Sequence, residues 1–477
     1  MSGKMIRIGV VLLGAVLTCP SLALAIDFPY VLTDPLRTLP DVVEQGVFLP
    51  GDTEPIPCAV QKDFSRPLSL GEAVDLALCN NPQIKSAWAD IKIQAGAVGE
   101  ARAAYLPALT TSLNRTHDEQ RYPGSIYPSS TIDRNTVQGS LTWRLLDFGG
   151  RSANRLAAEH LLTAAIASHD ATLQKALSAV IQAYFDAMTA RAALNAKIEN
   201  REIAKNTLDS ARSREEKGAI SRSDTLRATT ALAKASLDEN RAQGDYQKAL
   251  AVLRHILGVP GDTMISLSEE IKEGGGESGK ALNNWLEEAQ KQHPAIVAAR
   301  NQLEVARNRV TVARSAGLPT LGLSANYYQN TRPGEAVTAN ETTETTLGVV
   351  LTIPIFDGFS STYKVRGAQA QIDQKKAQLA DVEHQIAMEV IKAHADATSS
   401  LGNLDASGAL LDAARSALVV SQRKYDKGAA DITEVLSTQT ALADAQQERI
   451  RCLSEWHSAR LRLLASAGQM GRAVITD

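Results

Sequence analysis

The sequence predicts a mostly α-helical protein that also contributes strands to a transmembrane β-barrel. The chain repeats itself once, and each half contains a proline-free helical stretch too long for a compact globular domain. Two short runs of alternating apolar and polar residues precede each long helix at matching positions. Together these features indicate a duplicated unit with the order helix, strand, strand, long helix, helix.

Residues 1–25 have the features of a secretory signal peptide. Lys4 and Arg7 precede a short apolar run, and small residues follow where cleavage would leave Ile26 near the start of the mature chain. The apolar run is shorter than the roughly 20 residues that a membrane-spanning helix needs. An uncleaved membrane anchor is one alternative, and a lipid anchor at Cys19 is another. The sequence therefore predicts export from the cytoplasm.

The net charge limits the kinds of partner that the protein can bind, and the cysteine content indicates which disulfide can form. A net charge of -3 argues against a nucleic-acid-binding protein, because phosphate is bound by a basic surface. In an oxidising compartment the three cysteines of the mature chain allow one disulfide and one free thiol. The Pro-rich connection between Cys58 and Cys79 can fold back on itself. We therefore predict a disulfide between Cys58 and Cys79, with Cys452 free.

The duplication is visible when the sequence is compared with itself. Prolines, glycines and acids keep their order under shifts of 210 to 212 residues, in the pairs Pro82 and Pro294, Leu106-Pro107 and Leu318-Pro319, Asp147 and Asp357, and Gly218-Ala219 and Gly428-Ala429. The predicted organisation is a Pro-rich N-terminal segment over 26–67, repeats over 68–258 and 280–468, a linker over 259–279, and a C-terminal tail over 469–477.

Each repeat is predicted to begin with a helix. In the first repeat one helix should run from Leu70 to Tyr105, with Ser69 as its N-cap and Glu72 as the reciprocal partner in a capping box. Pro107 ends this helix because proline lacks the backbone N–H that the helix needs.

Two strands follow the first helix of each repeat. In the second strand Val137, Gly139, Leu141, Trp143 and Leu145 are predicted to share one face, with polar residues on the other. Runs of about ten such residues suit a barrel strand with one lipid-facing and one lumen-facing side. A half-buried sheet in a soluble protein has the same period of two, so the strands alone leave both interpretations open.

The long helices favour the membrane interpretation. The stretches from Gly150 to about Ser213 and from Phe359 to about Tyr425 contain no proline. At about 1.5 Å per residue each is a rod of about 95 Å, a length typical of coiled coils. Asp147 and Asp357 lie between strand and helix, where a carboxylate can cap helix N–H groups.

The number of strands predicts the oligomer. Four strands cannot close around a passage, and a sheet in lipid must close because lipid offers its edges no hydrogen-bonding partner. Three chains would contribute twelve strands, an even number in the usual range. We therefore expect a homotrimeric barrel in the outer membrane of a Gram-negative bacterium, continued into the periplasm by a helical coiled-coil tunnel.

The chain resembles the TolC-like outer-membrane efflux family over nearly all of its mature length. The resemblance is carried by Asn81-Pro82, Leu106-Pro107, Leu318-Pro319, Trp143 with Asp147-Phe148-Gly149, Pro354-Ile355-Phe356-Asp357-Gly358, and Tyr425-Asp426-Lys427-Gly428. It implies a trimeric export channel that works with a periplasmic adaptor protein and an inner-membrane transporter, either an ABC transporter or a proton-driven pump. The stretch from Ala77 to Ala89 is most similar to the type I protein secretion branch, such as the cyclolysin exporter.

The resemblance also implies where the channel is gated. The adaptor contacts would fall on the helical hairpin tips, at Gly218, Ala219, Ile220, Ser221, Gly428 and Ala429. By position, Asp224 and Tyr425 resemble a pair that links neighbouring hairpins and holds the aperture closed. Glu434 matches an acid that lines the entrance as a cation-attracting ring.

Two departures from the family pattern weaken this expectation. Ala430 stands where the better-known gate has an arginine, and Ser437 replaces a second acid. A weaker lock and a less charged ring are therefore expected. The alternative role of Asp224 and Glu434 is that of ordinary acids at a helix start, where they favour the helix dipole.

No enzymatic activity, cofactor or metal site is predicted. Gly274, Gly279 and Lys280 approach the pattern of a phosphate-binding loop, but Ala281 replaces the Ser or Thr that would bind magnesium. The eight histidines are dispersed, without the spacing of a metal site. The alternative function is a periplasmic coiled-coil scaffold or adaptor without a barrel. Whether the cargo is a protein or a small molecule is not determined by the sequence.

Overall fold

The computed structural model describes residues 34–40, 58, 64, 66–124, 126, 130–268, 281–330 and 341–468. The predicted signal peptide, residues 269–279 of the predicted linker together with Lys280, and the predicted C-terminal tail lie outside the described residues. In chain order the elements are α1 (Leu70–Asn80), α2 (Pro82–Ala103), β1 (Ala108–Gln120), β2 (Ser130–Leu146), α3 (Gly150–Glu216), α4 (Arg222–Leu257), α5 (Leu282–Gln292), α6 (Pro294–Ser315), β3 (Thr320–Asn330), β4 (Thr342–Thr352), α7 (Ser360–Asp426) and α8 (Ile432–Ser466).

The single helix predicted from Leu70 to Tyr105 is wrong, because the chain breaks at Asn81. Asn81 is extended (φ -61°, ψ 122°) and caps α2, where its side-chain oxygen accepts a hydrogen bond from the amide of Gln83 at 2.8 Å. Pro82 causes the break, since its ring disfavours a helical conformation in the residue before it. The predicted capping box of Ser69 with Glu72 at the start of α1 is confirmed.

The main core lies where α1, α3 and α4 meet. Leu173, Leu177 and Ile181 of α3 are completely buried, and they contact a cluster that includes Val74 of α1 and Leu253 of α4. Their spacing of four places them on one face of α3. The helices α3 and α7 are each 67 residues and therefore about 100 Å long, so both extend well beyond this core.

The four strands form one antiparallel sheet in the order β1-β2-β3-β4. The register aligns the apolar positions of all four strands, so that Leu109, Leu141, Ala325 and Leu347 form one row across the sheet. Among the described residues the outer edges of β1 and β4 have no partner strand in the chain. Closure of the sheet therefore requires further copies.

A bulge in β2 shifts the pairing at the end of the predicted alternating run. Leu146, and not Leu145, is in register with Leu321 of β3, and the pairing shifts between Arg144 and Leu146. An extra residue in one strand interrupts the alternation of its side chains.

Carboxylates cap the long helices where they leave the sheet, as predicted. Asp147 Oδ2 accepts a hydrogen bond from the amide of Arg151 at 2.9 Å, and Asp357 Oδ2 accepts one from the amide of Ser361 at 2.7 Å. Gly149, at φ 89°, provides the left-handed backbone that turns the chain into α3. No helix in the described part of the chain is both long and apolar enough to cross a bilayer.

Candidate functional site at the helical hairpin ends

Both long helices end with the same turn, at the end of each rod that is remote from the sheet. After α3, Gly218 adopts φ 70° and the amide of Ala219 donates to the carbonyl oxygen of Arg214 at 2.9 Å. After α7, Gly428 adopts φ 74° and the amide of Ala429 makes the matching bond at 2.9 Å. This is the Schellman motif, in which glycine takes the left-handed position. The two tips are exposed.

The chain then restarts as a helix within a few residues. In the first hairpin Asp224 Oδ2 accepts hydrogen bonds from the Ser221 amide at 3.3 Å and the Ser221 hydroxyl at 2.9 Å. The Asp224 carboxylate is therefore engaged in its own turn as part of a capping box. In the second hairpin Asp431 is the N-cap of α8, and its carbonyl oxygen accepts from the Glu434 amide at 3.1 Å.

Tyr425 lies between the two hairpins. Its side chain is only 2% exposed and belongs to a cluster drawn from both, with Leu208 of α3, Ala228 of α4 and Val435 of α8. Burial raises the pKa of its hydroxyl, and Arg214 acts in the opposite direction. The buried hydroxyl has no hydrogen-bond partner among the described residues. Tyr425 therefore joins the hairpins within one chain by apolar packing of its ring.

Arg214 fastens the end of α7 to α3. Its guanidinium lies 4.4 Å from the centroid of the Tyr425 ring. Its Nη1 donates to the Tyr425 carbonyl oxygen at 2.6 Å, and its Nη2 donates to the Asp426 carbonyl oxygen at 3.0 Å. A cation at these terminal carbonyls is favoured both by hydrogen bonding and by the helix dipole. The stacked geometry adds a cation–π attraction.

Arg227 makes a second connection, from α4 to the start of α8. Its Nη1 donates to the Thr433 hydroxyl at 3.0 Å and lies 3.9 Å from Asp431 Oδ2. The same nitrogen lies 3.8 Å from Asp224 Oδ1. We refer to Arg214, Arg227 and Tyr425 as the latch, because these three side chains connect the first hairpin to the second at its end.

The structure shows the contacts of the residues expected at the gate within one chain. Asp224 and Tyr425 lie in the same region, but no hydrogen bond joins them within the described chain. Arg214 and Arg227 were missed, because a cation near a helix end is usually an ordinary surface residue. The available signal was the duplication, which places Lys424 and Ser437 at the positions of these two arginines.

Glu434 is exposed on the first turn of α8, facing its own hairpin partner helix. Its Oε1 lies 3.3 Å from Lys424 Nζ of α7. The negative charge expected at this position is therefore partly offset by a lysine. Across the described residues no three acidic, histidine or cysteine side chains are grouped to hold a metal ion.

The structure also connects the N-terminal segment to α1. Cys58 and Cys79 are joined in a disulfide with their Cα atoms 5.6 Å apart, within the usual range. Cys452 is free and buried in α8, and burial raises the pKa of its thiol. The disulfide lies beside the main core, far along α3 from the hairpin ends, so it is separate from the latch.

A family model and known proteins match most of this chain. The family model described as "Outer membrane efflux protein" matches residues 73–259 and 285–469. Protein CyaE of Bordetella pertussis is 35% identical, with 88% of each chain covered. Alkaline protease secretion protein AprF of Pseudomonas aeruginosa is 24% identical, with 85% of each chain covered.

Solved structures share the fold. The Campylobacter jejuni CmeC outer membrane channel is similar with a TM-score of 0.75 at 18% sequence identity. The similarity covers 88% of this chain and 92% of CmeC. At this identity the likeness concerns the architecture of the chain and not its cargo.

Proposed function

Because the chain belongs to the outer membrane efflux protein family, we propose that its hairpin ends form the gated periplasmic entrance of an export channel. The protein is an outer-membrane channel of the efflux and type I secretion kind, with a trimeric barrel continued by a helical tunnel. The latch carries the proposal, since it fastens one hairpin of each chain to the other at the end of the tunnel. A coiled-coil scaffold without a barrel would have no use for the four-stranded sheet.

The strength of the latch suits a gate that a partner can open. The side chains of Arg214 and Arg227 are 23% and 54% exposed, so water competes for their contacts. Half-exposed ionic contacts contribute little each, typically up to about 1 kcal/mol. A latch of this kind keeps the hairpins together at rest, and binding of another protein at the tips can release it.

The partners proposed for the channel follow from its family. A periplasmic adaptor protein would contact the exposed tips at Gly218 to Ser221 and at Gly428-Ala429. An inner-membrane ABC or proton-driven transporter would supply the energy. We assign residues 68–258 and 280–468 to two copies of an ancestral unit, and the double match of the family model supports this division.

For the cargo we propose a secreted protein. The support is that one relative is named for the secretion of alkaline protease. A strain lacking the channel should lose one or more proteins from its culture medium while its susceptibility to small toxic compounds is unchanged. The opposite pattern would identify the channel as a small-molecule efflux duct.

Arg214→Ala tests the latch. Removal of the guanidinium takes the charged donor from the last two carbonyls of α7. At about 1 kcal/mol or slightly less for each of these partly exposed contacts, the open population should rise on the order of tenfold. Single-channel recording of the purified trimer in planar bilayers measures this population. Tyr425→Phe should behave like the wild type, because the hydroxyl lacks a partner in the described chain.

Arg212→Ala is the matched control, since Arg212 is an exposed arginine on the same turn of α3. Wild-type opening in Arg214→Ala would eliminate the latch. Asp224→Ala should have a smaller effect than Arg214→Ala, because the structure assigns Asp224 a capping bond worth about 1 kcal/mol.

Glu434 and Lys424 provide a test of the charge at the entrance. If Glu434 lines the aperture, Glu434→Gln should weaken the block of current by divalent cations, because three carboxylates lose their charge. Lys424→Ala should strengthen that block, because it removes the cation that lies 3.3 Å away. Changes in the same direction for both variants would place Glu434 away from the pore.

A further inference from the structure

We propose that residues 398–408 of α7 form a hinge about which the lower part of the second hairpin swings when the entrance opens. We call these residues the α7 hinge segment. The proposal rests on the proposed function, and it adds the place where the moving helix bends.

The first observation is a contrast between the two repeats. The α7 hinge segment reads Thr-Ser-Ser-Leu-Gly-Asn-Leu-Asp-Ala-Ser-Gly, with glycines at 402 and 408. The matching part of α3, residues 188–198, reads Met-Thr-Ala-Arg-Ala-Ala-Leu-Asn-Ala-Lys-Ile. Ser, Thr, Asn, Asp and Gly are weak helix formers, and most of the hinge segment consists of them. The two helices have equal length, but only α7 is weak at this position.

The second observation is that hydroxyl groups compete for the backbone of the hinge segment. Thr398 Oγ1 donates to the His394 carbonyl oxygen at 2.8 Å. Ser400 and Ser407 donate to carbonyl oxygens three residues earlier at 3.0 and 2.8 Å. Back-bonding of this kind weakens and bends helices. It occurs here in a run rather than at a single position.

An arginine of α8 also hydrogen-bonds to the backbone of the hinge segment. Arg449 Nη1 donates to the Leu404 carbonyl oxygen and lies 3.3 Å from Ser407 Oγ. No carboxylate lies within ion-pair distance of Arg449 among the described residues. Its guanidinium instead donates to a main-chain carbonyl oxygen of α7. The matching position in the first repeat is Glu239, which forms an ordinary ion pair with Arg201 at 3.2 Å. A hydrogen bond from an arginine to a main-chain carbonyl oxygen stabilises the helix where its own residues are weak helix formers.

The surroundings of the hinge segment define what can move. Above it, Ile386, Val390 and Ala393 are buried in a core cluster with Trp285. Below it, the buried residues of α7 before Tyr425 are only Ala414 and Ser421. Ala414 packs with Leu442 and Ala445 of α8, which belong to the same hairpin, so this packing can move with the hairpin.

The geometry sets the size of the movement. From Gly408 to the end of α7 the helix is about 27 Å long, at 1.5 Å per residue. A bend of about 20°, the size of kink that Gly and Ser positions permit, displaces the tip by about 9 Å. The corresponding part of α3 stays straight, so the second hairpin moves against the first.

Amide hydrogen exchange of the intact trimer tests the hinge without reference to the latch. Peptides from 398–408 should exchange at least about tenfold faster than peptides from 188–198, because weak helix formers open more readily. The double variant Gly402→Ala with Gly408→Ala should slow this exchange. A Cβ at 402 has no atom within 4 Å and one at 408 meets Arg449 at 3.5 Å, so both fit. Equal exchange in the two segments would overturn the hinge.

Opening frequency in planar bilayers provides the second readout. In the otherwise wild-type channel the double variant should open about five- to twenty-fold less often, since each Gly→Ala change stiffens the helix. Gly367→Ala is the matched control, because Gly367 lies in α7 above the hinge segment and a Cβ there also has space. An unchanged frequency in the double variant would overturn the hinge, whereas wild-type opening in Arg214→Ala would overturn only the latch.

Discussion

A histidine caps the start of α6, whereas an asparagine caps the matching helix, α2, in the first repeat. His293 Nδ1 accepts from the amide of Ala295 at 3.2 Å, and the side chain is 7% exposed. Asn81 holds the equivalent position before α2. Burial lowers the pKa of His293 below 6.5, although Glu389 acts in the opposite direction. The folded protein therefore favours the neutral imidazole, which is the form that can accept this bond.

Acid should weaken the trimer through His293. Because the folded pKa is lowered, the contribution of this group is fully present above the unfolded value of 6.5. It is lost as the pH falls from there through the lower folded pKa. His293→Asn keeps an acceptor and removes the titration, so its stability should vary less between about pH 7.5 and pH 5, by about 1 kcal/mol per chain. Chemical denaturation of the solubilised trimer measures this difference. An identical pH response in both proteins would contradict the assignment.

Among the elements, the joint between β2 and α3 depends on one side chain. Arg151 donates to the carbonyl oxygens of Arg144 at 2.6 Å and Leu145 at 3.1 Å, and to Asp147 Oδ2 at 3.0 Å. It also lies 4.8 Å from the centroid of the Tyr105 ring at the end of α2. The bulge at Leu145 is therefore held by Arg151, which connects the sheet to the helical part.

Arg151→Ala should destabilise the joint by about 2–3 kcal/mol, because several charge-assisted hydrogen bonds are lost from a largely buried position. The control is Ser361→Ala at the matching place in the second repeat, where the backbone amide of residue 361 continues to donate to Asp357 Oδ2. Its effect should stay under about 1 kcal/mol. Thermal melting of the trimer compares the stability of the two variants. An equal loss of stability in both would show that Arg151 does not hold the joint.

For the whole molecule, the sheet predicts which face meets lipid. Val349 and Val350 are neighbours on β4 with the same side chain on opposite faces. Val349 lies on the face of the apolar row that contains Leu347. In the trimer this row would face the lipid, and Val350 would face the lumen.

Val349→Lys should therefore reduce assembled trimer in the outer membrane, at a cost of about 2 kcal/mol per chain for a charge in lipid. Val350→Lys should assemble almost normally and alter ion selectivity instead. The amount of folded trimer can be measured on detergent gels, because the folded trimer stays intact in samples that are not heated. Equal assembly of the two variants would contradict the assignment of the faces.

The sequence by itself determined the duplication, the open sheet of four strands, the long helices and the turns that end them. These features depend on local rules, since alternation, helical periodicity and a glycine after a helix act within a few residues. The break at Asn81 was also local, and Pro82 was the signal for it.

Only the tertiary structure decided which charged residues connect the hairpins and which stay in their own turn. Arg214 and Tyr425 are 211 residues apart in the chain, and their contact exists because α3 and α8 bring the two hairpin ends together. The same holds for Arg449 and the weak part of α7. An arginine near a helix end has many possible partners, and packing between distant helices selects one of them.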